Sequence, residues 1–122
     1  MSITPQQLFH VRVPKGLEQN PERVKEFPLI LQFNVSGEQG GTWTVDTLNV
    51  PATVHVGPRE DAQCVIFIED KALIELLETE PISRPPLVMR FILEGQVEVE
   101  GDVGQAMKLS KVFSVADSAR EE

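Results

Sequence analysis

The stretch Gly95-Gln-Val-Glu-Val-Glu-Gly101-Asp-Val-Gly-Gln-Ala-Met-Lys-Leu-Ser-Lys-Val-Phe113 changes its period in the middle. Val97 and Val99 alternate with Gln96, Glu98 and Glu100, the two-residue period of a strand with one buried face. Gly101 breaks the run, and Asp102 follows as a helix cap, its carboxylate suited to accept a hydrogen bond from a free N–H of the first turn. Val103, Ala106, Met107, Leu109, Val112 and Phe113 then recur at helical spacing and predict an amphipathic helix over 102–113. Lys108 and Lys111 lie toward its C-terminal end, where the helix dipole favours cations. Strand, glycine and terminal helix form one unit, and its partners must come from the rest of the chain.

Working upstream, Leu87-Val-Met-Arg-Phe-Ile-Leu93 suits a short helix or a strand, and we read it as helix after the loop marked by Pro81, Pro85 and Pro86. A helix capped by Asp70 presents Ala72, Leu73, Leu76 and Leu77 on one stripe and Lys71, Glu75 and Glu78 to solvent. Gln63-Cys-Val-Ile-Phe-Ile68 is apolar on both faces, the pattern of a central strand covered on each side. Strands are also expected over 29–35, 42–48 and 52–56, the first two joined as a hairpin by Ser36-Gly-Glu-Gln-Gly-Gly41. Thr4-Pro5 and Asn20-Pro21 each start a short helix, the first limited by Pro14 and loosened by Gly16. Residues 114–122 read as a loose tail. Helices, strands and helices in this order make a single α+β domain over 1–122, its sheet mostly antiparallel and its helices mainly on one side.

The 122 residues suffice for one core, and 41% hydrophobic with 25% charged residues is ordinary globular composition. A net charge of −8 disfavours nucleic acid as a partner, because a phosphate backbone repels such a surface. The single cysteine, Cys64, leaves no internal disulfide to form, which fits a reducing compartment. No signal peptide and no apolar run long enough to span a bilayer are visible, so a cytoplasmic location is expected.

Catalytic signatures are sparse. There is no Gly-rich phosphate loop, and His10 and His55 have no metal-ligand spacing. Cys64, in the most apolar strand, is expected to be a buried, inert thiol with a raised pKa. Glu98 and Glu100, with Glu94 and Asp102, read as a solvated acidic edge rather than an acid–base pair. No metal or cofactor is called for. The apolar residues say more. Phe67, Leu73, Leu76, Leu77, Phe91, Ile92, Met107 and Phe113 are enough either to fill a core or to surround a cavity for an apolar ligand. Pattern alone favours the filled core. In the cavity reading Met107 adapts to varied ligands, Phe113 stands nearer the mouth, and Val103 and Ala106 anchor the helix to the sheet.

Over most of its length, from about residue 29 to 113, the chain resembles the sterol carrier protein-2 family, the non-specific lipid-transfer proteins. The resemblance is carried by Gly40-Gly-Thr-Trp-Thr-Val-Asp46, by Ala62-Gln-Cys-Val-Ile-Phe-Ile68 with the helix at Asp70, and by Gly95 to Leu109 in the same order. It implies a five-stranded sheet whose helices enclose a hydrophobic tunnel. It further implies loosely selective binding of a fatty acid, fatty acyl-CoA, sterol, phospholipid or isoprenoid, without catalysis. The chain departs in lacking a C-terminal peroxisomal tripeptide, and in a segment over 81–93 rich in proline and aliphatic residues where relatives carry a more polar helix. The expected protein is a lipid carrier, a monomer or weak dimer that touches membranes transiently. An accessory scaffold presenting a lipid to membrane-associated biosynthetic enzymes is the second reading, and an acyl-CoA-processing enzyme the third.

Overall fold

The structure is a computed structural model and describes residues 3–118. Strands β1 (Ile30–Ser36), β2 (Gly41–Asp46), β3 (Thr53–Val56), β4 (Cys64–Glu69) and β5 (Val97–Gly101) form one sheet in the order β3-β2-β1-β4-β5. The β1–β4 junction is parallel and the others are antiparallel, as expected of a mostly antiparallel α+β domain. The middle strand is β1, and β4 is interior as expected, paired with β1 on one side and β5 on the other. On β4, Cys64, Ile66 and Ile68 are buried while Val65 and Phe67 are only half-buried. The expectation of two covered faces fails because the helices gather on one side. Leu31, Phe33, Trp43, Val45, Ile66 and Val97 share a core cluster with helical residues, and Ile30 and Phe67 on the opposite face do not belong to it.

The N-terminal segment is one continuous helical run: α1 (Pro5–Gln7), a π-helical turn (Leu8–Arg12) and α2 (Val13–Gln19). Thr4 and Gln7 cap its start reciprocally. Pro14 does not end it. In the wider π turn the Val13 N–H donates to the Leu8 carbonyl five residues back, and Pro14 sits in the first turn of α2, where a missing N–H is tolerated. Gly16 does not loosen the helix either. It is buried against the last helix, and a Cβ there would stand 2.2 Å from the Val115 carbonyl oxygen. A short α3 (Pro21–Val24) follows.

After β4, helix α4 (Asp70–Glu78) begins with Glu69, not Asp70, in the cap position. The Asp70 carboxylate instead accepts from the Gln39 N–H at 3.1 Å, tying the helix to the β1–β2 turn. A 3-10 turn (Pro81–Ser83) leads into α5 (Arg84–Leu93), so the ambiguous segment is helical. Gly101 takes a φ of +108°, a conformation that glycine adopts without strain. Asp102 then caps as expected, accepting from the N–H groups of Gly104 and Gln105.

The single helix predicted over 102–113 is two helices, α6 (Val103–Ala106) and α7 (Leu109–Asp117), separated at Met107 and Lys108. Lys108 therefore lies at the break, just past the C-terminus of α6, and Lys111 in the first turn of α7. Ser114 to Asp117 are helical rather than a tail, and Val115 and Ala116 are buried. The remaining tail residues, 119–122, lie outside the described residues.

Candidate functional site

The apolar interior lies between the helix-covered face of the sheet and helices α4 to α7. Leu73, Leu76, Phe91 and Phe113 are at most 1% exposed and belong to one contiguous cluster, with Leu77, Ile92 and Met107 half-buried against it. The structure thus brings together seven of the eight predicted lining residues. Phe67 is the exception. Its register partners are Asn34 and Glu98, so it projects from the opposite face of the sheet. Phe113 is not at a mouth but deep inside, 6.5 Å from the Phe33 ring. Phe9 joins Phe33 (5.0 Å) to Trp43 (4.8 Å, stacked), so aromatic rings cross the core from α7 to β2. Ala106 is buried and fits its anchoring role, but Val103 is 43% exposed and does not.

Reasoning from sequence missed the group that ties the helices together. Arg84, at the start of α5, is 1% exposed. Its Nε donates to the Leu76 carbonyl and its Nη2 to the Leu77 carbonyl, both at 2.8 Å. Its Nη1 stands 2.6 Å from Asp117 Oδ2, an ion-pair distance without hydrogen-bond alignment, and its guanidinium lies 5.8 Å from the Phe113 ring centre. One cation therefore joins the C-terminal end of α4, the start of α5 and the end of α7. It meets two carbonyls in the last turn of α4, where positive charge is favoured, and the Leu76 carbonyl also accepts from the Thr79 N–H. The signal in the sequence was faint: a lone arginine before Pro85-Pro86, and an aspartate in what resembled a tail.

Cys64 is buried, its Sγ 3.7 Å from the Asp102 carbonyl oxygen. Burial pushes the thiol pKa up, and the Asp102 charge adds to that shift. His10 Nε2 accepts from the Trp43 indole N–H at 2.8 Å. Among the described residues no three His, Cys, Asp or Glu side chains are placed to hold a metal, and no helix is long and apolar enough to cross a membrane. On the far face of the sheet, Asp46 accepts from Asn49 and from Arg59. Burial pushes its carboxyl up, but hydrogen bonds from Asn49 and Arg59 and the Arg59 charge outweigh this and hold the pKa below its usual value.

Residues 12–114 match the SCP-2 sterol transfer family. Hydroxysteroid dehydrogenase-like protein 2 of Xenopus laevis is 31% identical over 95 residues, covering 77% of this chain and 22% of that protein. The chain thus spans about a fifth of the length of the curated relatives it matches. Among solved structures, apo sterol carrier protein 2 of Yarrowia lipolytica superposes with a TM-score of 0.69 at 22% identity, covering 88% of each chain. Sterol carrier protein-2 of Aedes aegypti, solved with palmitate, superposes with a TM-score of 0.64 at 18% identity, covering 94% of this chain and 98% of that one.

Proposed function

The chain belongs to the SCP-2 sterol transfer family, and from that premise we propose that it is a lipid carrier that buries a long hydrocarbon chain among Leu73, Leu76, Leu77, Phe91, Ile92, Met107 and Phe113. The observation that carries this reading is a continuous apolar cluster that reaches the surface at Leu77, Ile92 and Met107, near the ends of α4, α5 and α6. Palmitate in the Aedes aegypti relative is a ligand of matching chemistry. The side chains touch one another, so a lipid enters by parting the helices from the sheet. Each methylene removed from water contributes about 0.8 kcal/mol, which offsets the cost of parting them and makes chain length matter more than head group.

Binding is non-covalent in this reading. The buried thiol with its raised pKa and the histidine engaged by Trp43 both fit a protein that holds its ligand without reacting with it. Displacement of a fluorescent fatty acid from delipidated, folded protein tests the proposal. Affinity is expected to rise from medium to long acyl chains. Failure of every fatty acid, acyl-CoA, sterol, phospholipid and isoprenoid tried to displace the probe or to bind directly would refute it.

A further inference from the structure

Among the described residues, strand β5 has a hydrogen-bonded neighbour on one side only. Along it lies a depression of about 680 Å³ whose lining includes Phe67, Ile92, Glu98, Val99, Glu100 and Val103. The register divides this groove by chemistry. Glu98 lies opposite Phe67 and Glu100 opposite Val65, on the open face of the sheet, whereas Val97 and Val99 lie opposite Ile68 and Ile66 on the helix-covered face. Ile92 of α5 and Val103 of α6 extend the apolar side. Glu98 and Glu100 are exposed, and neither has an ion-pair partner among the described residues. The other edge strand, β3, has four residues and no comparable run of acidic side chains.

We propose that β5 receives an extended segment of a partner protein in which apolar residues alternate with lysine or arginine. An added strand satisfies the free backbone groups of an edge, and its own two-residue period sorts its side chains to the two faces. Basic residues then meet Glu98 and Glu100, while apolar ones meet Val99, Ile92 and Val103. The charges select a foreign strand over a second copy of β5, because self-pairing in one continuous sheet would set glutamates beside glutamates on the same face. This inference is independent of the lipid reading, and its test uses no lipid.

Isotope-labelled full-length protein is titrated with three capped synthetic peptides. One alternates valine and lysine, one alternates valine and glutamate, and the third is the valine–lysine peptide N-methylated at alternate residues so that it cannot pair along the edge. The valine–lysine peptide is expected to bind, with amide shifts concentrated in β5 and around Ile92 and Val103. The other two should bind at least about tenfold more weakly. The double variant Glu98→Lys/Glu100→Lys, with its melting curve checked, should reverse the charge preference. Equal affinity for the N-methylated peptide would reduce the contact to charge alone and overturn the proposal. So would equal affinity for the two unmethylated peptides, shifts centred elsewhere, or β5 shifts that grow with protein concentration in the absence of peptide.

Discussion

The two faces of this sheet are held by different forces. On the helix-covered face Leu31, Phe33, Trp43, Ile66 and Val97 meet helical side chains through apolar contact, which has no preferred direction. On the other face the crossover over 57–63 lies across part of the sheet and is fastened by named hydrogen bonds. The Arg59 N–H donates to Gln32 Oε1, Thr44 Oγ1 donates to the Gly57 carbonyl, and the Ile30 N–H donates to Gln63 Oε1. Arg59 Nη1 also pairs with Asp46 at 2.8 Å. Apolar packing tolerates rearrangement as long as area stays buried, whereas an unmade buried hydrogen bond costs its full desolvation. In the lipid-carrier reading proposed above, a ligand of variable shape therefore fits the covered face better, with the polar face as the more rigid wall.

Phe113→Ala cuts deepest into this contrast. Phe113 is fully buried, so we expect a loss of about 3–5 kcal/mol in chemical denaturation. A stable variant that only releases lipid faster would instead make Phe113 a gate. Arg84→Met comes next, with an expected loss of about 3 kcal/mol, because the Leu76 and Leu77 carbonyls and Asp117 lose their common partner. If the apolar site opens by parting α5 and α7, this variant should also speed lipid exchange. An unchanged exchange rate per folded molecule would place the opening elsewhere.

Cys64→Ser should cost roughly 1 kcal/mol, since the hydroxyl can donate to the Asp102 carbonyl that the thiol already faces but fits an apolar site less well. A larger loss, with lipid affinity intact, would show that the site tolerates no polar atom at all. On the polar face, Asp46 links stability to pH. Its folded pKa is lowered, so its contribution is fully present above the unfolded value of about 3.9 and is lost as pH falls through the lower folded value. Asp46→Asn should flatten that part of the acid-denaturation profile. An unchanged profile would remove the Arg59–Asp46 pair from the forces holding this face. Phe67→Ala should have the smallest effect, under about 1 kcal/mol and with no change in lipid affinity, because Phe67 is half-buried on the face away from the cluster. Weakened lipid binding would return Phe67 to the site.

The local pattern was enough to read β5, Gly101 and the Asp102 cap, because strict alternation, a turn glycine and a capping carboxylate are each marked within a few residues. It also marked seven side chains that do share one cluster, since an apolar stripe must be buried somewhere. It could not say on which side of the sheet. An apolar run such as 63–68 looks the same whether both faces are covered or one is left half-open, and the choice depends on where distant helices settle. That is why Phe67 was grouped with residues on the opposite face. The same limit hid Arg84, whose partners are at Leu76, Leu77 and Asp117, and turned Gly16 from a helix weakener into the place where α7 approaches. The sequence by itself determined the five strands, the Asp102 cap, the buried thiol and the family. Only the tertiary structure decided the strand order, the buried arginine and which face each apolar residue serves, because burial is a property of packing between residues far apart in the chain.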